Sequence, residues 1–407
     1  MKYKSSPHRK NVNQAEYQLR PNLRTFVDEN SRPLAINYSC FKLGELVTIK
    51  YGKNQKKVES KNGSIPIYGT GGRIGFAKQP LYDKPSVLIG RKGTINKVKF
   101  VDHPFWTVDT LFYTIINDDI VLPRYLFYLM SLLDLESYNE GTTIPSLRTE
   151  TLNRLEFDIP DLEYQRKVLS VLEPLDKKIT LNVSINKNLE QQLSALFTNM
   201  FGFNIDKLDE SEFKLDDLVE SVDNRGKTPP LSDKPTSYPI IDVKALSGDI
   251  RIVDYNNCTK YVNEETYNNW FRSGHPKQYD ILVSTVGSLA EMKIFLGDVG
   301  CIAQNVVGFR SKGISPLYLY QYLNYIKNDL AAYNIGSVQP SIKVTHIIKH
   351  PIYVAPQDEL NRFDSVARSI TEQIFANCQE SEKLKQLRDT LRPKLMSGEL
   401  DVSNIDL

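Results

Sequence analysis

The chain has 407 residues, 41% hydrophobic and 25% charged, with 51 lysine and arginine residues against 49 aspartate and glutamate. That length allows about two to three globular domains, and a net charge of +2 argues by itself against a chain built to hold a polyanion. No stretch approaches the ~20 apolar residues of a membrane span.

The N-terminal segment, residues 1–40, is a polar basic tail: residues 1–24 hold six basic residues and one acid, Glu16. It contains no apolar core of a secretory signal. Cys40, Cys258, Cys301 and Cys378 form no CxxC pair, so neither a disulfide framework nor a cysteine zinc site is expected. A cytoplasmic protein without membrane contact is the expectation.

Residues 41–160 alternate short β-branched and aromatic runs with glycine and proline. Ser86–Gly90 reads as a buried strand, and Pro123 stands at the first position of a helix reaching Leu133. Positive charge collects here: residues 41–101 hold 13 basic and 3 acidic residues, a net of +10. Such a concentration is a footprint for phosphate backbones. Lys53, Lys56, Lys57, Arg73, Arg91, Lys92 and Lys97 are interleaved with Tyr51, Tyr68 and Phe76. Gly71 and Gly72, inside Gly69-Thr-Gly-Gly-Arg-Ile-Gly75, permit close backbone approach. Thr94 and the polar loop of Thr142, Thr143 and Ser146 complete the candidate contacts of this domain. Arginine or lysine can read guanine edges, and asparagine or glutamine can read adenine.

From 161 to 203 glycines become rare and apolar residues recur every three or four positions. The seam is Val168, Leu172, Leu175, Ile179, Asn182, Asn186, Leu189, Leu193, Leu196 and Met200, a coiled-coil pattern. Pro174 is expected to break or kink this helix near Glu173. Residues 204–356 return to the mixed pattern, with a strand at Tyr279–Ser284 and a helix at Pro316–Ile326. Its candidate contacts are Arg225, Lys227 and Thr228 in one loop, Ser284 and Thr285 after the strand, and Ser337, Gln339 and Ser341 in another polar loop. Residues 213–330 carry 13 basic and 14 acidic residues, so this domain must rely on local geometry. Residues 357–407 form a second long helix and a tail. Its seam is Phe363, Ala367, Ile370, Ile374, Asn377, Ser381, Leu384, Arg388, Leu391 and Leu395, weakened by Arg388.

These segments are two copies of one plan. Phe41-Lys-Leu43 recurs at Phe213-Lys-Leu215, an offset of 172, and Pro123-x-Tyr-Leu at Pro316-x-Tyr-Leu, an offset of 193. Gly141, Pro145 and Ser146 recur at Gly336, Pro340 and Ser341, an offset of 195. The second copy therefore carries about 21 extra residues in its first half. Asn182 and Asn377 take matching seam positions, where a buried asparagine costs stability and sets register. Since each helix leaves its own head, the two can pair only antiparallel, with a head at each end. A helix of ~39 residues is ~58 Å long, or about 17 base pairs.

The whole plan resembles the specificity (S) subunit of type I restriction–modification systems. The resemblance rests on the tandem repeat and on ordered local phrases. These are Phe41-Lys-Leu-Gly-Glu-Leu-Val, Ile65-Pro-Ile-Tyr-Gly-Thr-Gly-Gly-Arg-Ile-Gly-Phe76, Leu88-Ile-Gly-Arg-Lys-Gly-Thr94 and Ile159-Pro-x-x-Glu163-x-Gln165. In the second copy they are Tyr279-Asp-Ile-Leu-Val-Ser and Leu391-Arg-Pro-Lys-Leu-Met-Ser-Gly-Glu399. The resemblance implies an α+β chain: two α/β target-recognition domains joined by two long helices in an antiparallel coiled coil, a pseudo-two-fold tandem repeat. It implies a subunit without catalytic residues that reads a bipartite, asymmetric site on double-stranded DNA. It further implies a platform for two methyltransferase (M) subunits and two restriction/translocase (R) subunits. S-adenosylmethionine, ATP and Mg²⁺ would belong to those partners only.

Enzyme readings find little support in the residues. An adenine methyltransferase needs an (Asn/Asp)-Pro-Pro-(Tyr/Phe) tetrad, and Pro-Pro occurs only in Thr228-Pro-Pro-Leu231. Gly226-Lys-Thr228 lacks the earlier glycine of a P-loop, which is Ser221 here. Asp242-Val-Lys244, with Asp223 or Asp233, mimics a Mg²⁺ nuclease spacing. His346 and His350 flank an apolar pair in an expected strand and form no metal site. The alternatives kept open are a metal-dependent DNA nuclease and a non-specific coiled-coil DNA-binding scaffold.

Overall fold

A computed structural model describes residues 37–208 and 211–406. Most of the basic tail therefore lies outside the described residues. Its end does not: β1 (Tyr38–Lys42) pairs antiparallel with β9 (Glu156–Pro160), so the first domain takes in residues before 41.

Among the described residues each copy contains three sheets, and their strand orders match. In the first copy a four-stranded sheet runs β2 (Val47–Tyr51), β8 (Leu111–Ile116), β5 (Ser86–Gly90), β6 (Val98–Val101). A three-stranded sheet runs β4 (Gly72–Ala77), β3 (Ile65–Gly69), β7 (Trp106–Thr107), the last pair parallel. In the second copy the four-stranded order is β11 (Val219–Val222), β17 (Val306–Ser311), β14 (Ile281–Ser284), β15 (Met292–Ile294). The three-stranded order is β13 (Tyr261–Val262), β12 (Tyr238–Ile241), β16 (Cys301–Ile302), again with a parallel last pair. The β1–β9 ribbon has its counterpart in β10 (Phe213–Lys214) with β18 (Pro351–Ile352).

The interior strands follow from their composition. Every residue of β5 and β14 is buried, as unbroken apolar runs between two strand neighbours require. The second strand starts at Ile281 rather than Tyr279, because Tyr279 has φ +69, outside the extended region. The expected helices form at Pro123–Met130 and Pro316–Tyr325. His346 falls in a helical turn, Val344–Ile347, rather than a strand.

The extra residues of the second copy have a definite place. The β3–β4 hairpin turns through Thr70 and Gly71, whereas residues 242–260 connect β12 to β13. A further helix, Glu264–Trp270, sits between β13 and β14. Both insertions lie on the three-stranded sheet, and the four-stranded core sheet keeps its connections.

The chain divides into two compact units: residues up to Lys177 together with those from Leu384, and residues Lys178–Lys383. The central helix runs from Leu162 to Phe197 and the C-terminal helix from Gln357 to Ser397. Pro174 does not break the first, which runs through it as one helix. Its ring is exposed, while Val168, Leu169 and Leu172 are buried in the first domain's core, and this packing offsets a penalty of about 3 kcal/mol. Within the first unit Asp176 accepts hydrogen bonds from Tyr128 Oη (2.5 Å) and from Arg388 (2.7 Å). Arg388, the expected flaw in the seam, is thus paired with the facing helix. Within the second unit Phe197 packs on Phe363 and Asn186 meets Asn377. Falling numbers on one helix against rising numbers on the other make that pair antiparallel.

The two matching seam asparagines, Asn182 and Asn377, do not pair with each other side chain to side chain. Asn377 Nδ2 donates to Asn186 Oδ1 at 2.7 Å, while Asn182 Nδ2 donates to Glu380 at 2.8 Å and Ser381 at 3.2 Å. All three asparagines are buried.

Candidate nucleic-acid interface

In the first domain three loops meet at one edge of the sheets. The Gly93 amide donates to Pro145 O (2.9 Å) and the Leu147 amide to Arg91 O (3.0 Å). The missing Cβ of Gly93, whose φ is +89, points toward Thr70 Oγ1 at 3.9 Å. The hairpin tip with Gly71 and Gly72, the loop of Arg91, Lys92 and Thr94, and the loop of Thr142, Thr143 and Ser146 are therefore neighbours. Arg91 is held in place: its guanidinium lies over Tyr51 at 5.1 Å and donates to Asp109 O at 2.9 Å. Lys53 is drawn to the same edge by a bond from its amide to Thr107 O and one from Trp106 Nε1 to its carbonyl, each 2.8 Å.

Arg73 lies over Phe76 at 4.9 Å, beside Lys99, whose ammonium stands over Tyr68 at 4.3 Å. Burial first, and then the charge of Arg73, lower the Lys99 pKa. Lys99, two residues after Lys97, is absent from the candidates expected from the sequence. Among the described residues, Lys53, Lys56, Lys57, Arg73, Arg91, Lys92 and Lys97 have no carboxylate partner. Lys56, Lys57 and Lys97 are exposed, but no contact ties them to the three-loop edge.

The polar loops of the two copies share their internal bonding. Asn139 Oδ1 accepts from the amides of Gly141 (2.8 Å) and Ser146 (2.9 Å). Asn334 Oδ1 accepts from those of Gly336 (3.0 Å) and Ser341 (2.9 Å). A Cβ on Gly141 would lie 1.9 Å from Ile144 O, and one on Gly336 1.9 Å from Gln339 O. Each loop docks on the neighbouring glycine turn, Gly287 donating to Pro340 O as Gly93 does to Pro145 O. Thr142, Thr143, Ser337 and Gln339 stand exposed at the tips, while Ser146 and Ser341 are half-buried supports. The two asparagines were the missed residues, because a side chain bonding two and seven positions ahead leaves no periodic trace.

Ser284 and Thr285, expected among the contacts, are not exposed to a ligand. Both are wholly buried. Ser284 Oγ donates to Ser288 O and accepts from the Glu291 amide, and Thr285 Oγ1 donates to Asn305 O. They shape the turn from within and offer nothing to a ligand. Thr285 stands where the first copy has Arg91, each donating its amide across to the next strand connection.

Arg225 also differs from the expectation of a free cation. Its guanidinium grips Asp223 with two bonds, 2.8 and 2.7 Å. Burial raises the Asp223 pKa, but the bonds and charge of Arg225, with Arg272, outweigh it and hold the carboxyl below its ordinary value. Lys227 is exposed beyond Gly226, and Thr228 Oγ1 accepts from Gln304 at 2.6 Å. Asn224, Arg225, Gly226 and Lys227 line a cleft of about 400 Å³ with Trp270 and Arg272, contributed by the inserted helix and its exit.

The nuclease spacing dissolves in the fold. Asp242 accepts from the Lys244 amide as a helix cap, and Asp223 is committed to Arg225. His350 Nδ1 is hydrogen bonded to Tyr333 Oη at 2.9 Å. Among the described residues no three His, Cys, Asp or Glu side chains are grouped to hold a metal, and no helix is long and apolar enough to cross a membrane.

Known proteins share this organisation. The chain is 24% identical over 360 residues to the type I restriction enzyme MjaIX specificity subunit of Methanocaldococcus jannaschii, covering 80% of each chain. Over 111 residues, a quarter of this chain and 24% of the relative, it is 38% identical to the HindI specificity subunit of Haemophilus influenzae. Its fold is similar to a crystal structure of the type I restriction–modification S subunit from M. genitalium, with a TM-score of 0.54, 15% identity and coverage of 89% of this chain and 97% of that one. The family described as type I restriction modification DNA specificity domain matches residues 36–191 and again 208–387. Because both copies match, across most of the chain, the protein belongs to the type I restriction–modification DNA specificity family, the non-catalytic component that recognises DNA in those systems.

Proposed function

We propose that each target-recognition domain reads one half of a bipartite, asymmetric site on double-stranded DNA, and so directs adenine methylation and restriction by partner subunits. The observation that carries this reading is one sheet plan twice over, with the loops that meet at its edge built differently. The first domain offers a two-residue hairpin and free cations, the second a long insertion and a cleft. Two scaffolds that agree while their exposed loops diverge suit two different half-sites at the same kind of docking.

The working division is a basic tail at 1–40, recognition domains at 41–160 and 204–356, and helices at 161–203 and 357–407. The contacts of the first half would be Lys53, Gly71, Gly72, Arg73, Arg91, Lys92, Thr94, Thr142 and Thr143, with Lys56, Lys57 and Lys97 supplying phosphate attraction. Those of the second would be Lys227, Thr228, Ser337 and Gln339. The helices would carry two M subunits, with two R subunits in the full cytoplasmic complex. The cofactors S-adenosylmethionine, ATP and Mg²⁺ would bind to those partners. Methylation-sensitive long-read sequencing of the host, with and without the gene, tests the reading: one bipartite adenine motif should disappear on deletion. A methylome unchanged by deletion would sink it.

A further inference from the structure

On the specificity-subunit reading the second domain must bind DNA without the bulk charge of the first, and the cleft beside Arg225 is the place in it where positive charge collects. Residues 213–330 carry one more acidic than basic residue, yet charge in the cleft is uncompensated. One carboxylate, Asp223, faces three cations: it grips Arg225 and feels the charge of Arg272. Among the described residues neither Lys227 nor Arg272 makes a hydrogen bond or ion pair to a carboxylate.

The walls are preorganised. Asn224 bridges two segments fifty residues apart, accepting from the Ser273 amide (2.9 Å) and donating to Gly274 O (2.9 Å). Ser273 Oγ donates to Asp223 O, and Arg272 donates one N–H to Arg225 O at 2.8 Å, leaving its other donors available. Trp270 is half-buried, its indole edge-on to Phe271 at 4.9 Å between centroids. An aromatic wall, a free ammonium and a partly free guanidinium around one concavity are the groups that hold an anionic ring system. At about 400 Å³ the cleft lies at the small end of ligand pockets and suits one nucleotide rather than several.

We propose that this cleft holds a single nucleotide unit of the bound DNA, its phosphate on Lys227 and Arg272 and its sugar or base against Trp270. Asp223, Asn224 and Arg225 are positioning residues that fix the loop. The proposal rests on the specificity-subunit reading and adds two residues, Trp270 and Arg272, to the second half-site.

The test is the affinity of the complex with its methyltransferase for a labelled duplex carrying the motif, measured by anisotropy across a salt series. Lys227→Ala and Arg272→Ala should each weaken binding and lower the salt slope by about one. Trp270→Ala should weaken it by about tenfold or more, with Trp270→Phe recovering much of the loss. Lys260→Ala, an exposed cation outside the residues that line the cleft, should change little. Because Lys227 is exposed on a loop, its variant reports even if the Trp270 substitutions perturb folding. Duplex affinity unchanged in the Lys227 and Arg272 variants overturns the proposal. So does binding of millimolar AMP that leaves the duplex bound and that the same substitutions abolish while duplex affinity stays intact, which would make this a free-nucleotide site. The deletion methylome is scored separately, so a lost motif with unchanged variant affinities refutes the cleft and leaves the specificity role standing.

Discussion

Arg251 and Glu190 form a bidentate pair in which the arginine is wholly buried. Arg251 Nε donates to Glu190 Oε1 at 3.0 Å and Nη2 to Oε2 at 2.6 Å, and the Arg251 amide also donates to Oε1. The guanidinium further donates to Thr371 and Gln321 and lies 5.3 Å from the Tyr320 ring. The pair ties the second domain's insertion to the central helix, and Thr371 adds the C-terminal helix.

Removing one partner alone leaves a buried charge. Glu190→Ala should cost about 3–5 kcal/mol, whereas Arg251→Met with Glu190→Leu should cost less. Urea unfolding checks this. A double variant at least as unstable as Glu190→Ala would refute the desolvation argument.

Lys293 predicts a rise of stability with pH. It is buried, its ammonium donating to Gly248 O and Ile250 O. Burial, opposed by Glu190, Glu291 and Asp249, lowers its pKa to about 8 from 10.5. The unfolded chain then binds more protons through this interval, so stability increases from pH about 8 toward 10.5. Denaturant midpoints at pH 7 and 9.5 should show the increase in the parent, and Lys293→Met should flatten it. A parent midpoint independent of pH contradicts the argument.

The twin loops predict separable damage. With a Cβ 1.9 Å from a carbonyl oxygen, Gly141→Ala and Gly336→Ala must each rebuild a loop. The first should degrade recognition of one half-site, the second of the other. Methylation of a library with each half randomised measures both, and damage shared by both halves would contradict modular reading.

Arg91 predicts a contact-level effect. Its guanidinium is oriented by Tyr51 and Asp109 O, so Arg91→Ala should weaken or relax one half-site by ~1–3 kcal/mol. Competition binding with single-base variants is the measurement. Equal loss at both half-sites would overturn the assignment.

Much of this was legible in the residues themselves. The repeat, its offsets, the buried strands and the apolar seams follow from periodicity and composition, which are local properties. The basic first domain follows from counting charge. Other features are pairings between distant positions: Asn224 with Ser273, Arg251 with Glu190, Gly93 with Pro145. No spacing rule links such residues, since only the closed sheets bring their loops together.

Tertiary structure also reassigned side chains of the right chemical type. Ser284 and Thr285 are polar and loop-adjacent, as binding residues are, yet their hydroxyls satisfy the turn's own backbone. Arg225 is cationic, yet its guanidinium is paired with Asp223. Two heads, two helices and the location of the positive charge follow from local patterns in the residues. Which polar groups remain free was decided by the fold, because a donor or charge already satisfied inside the protein has nothing left to give a ligand.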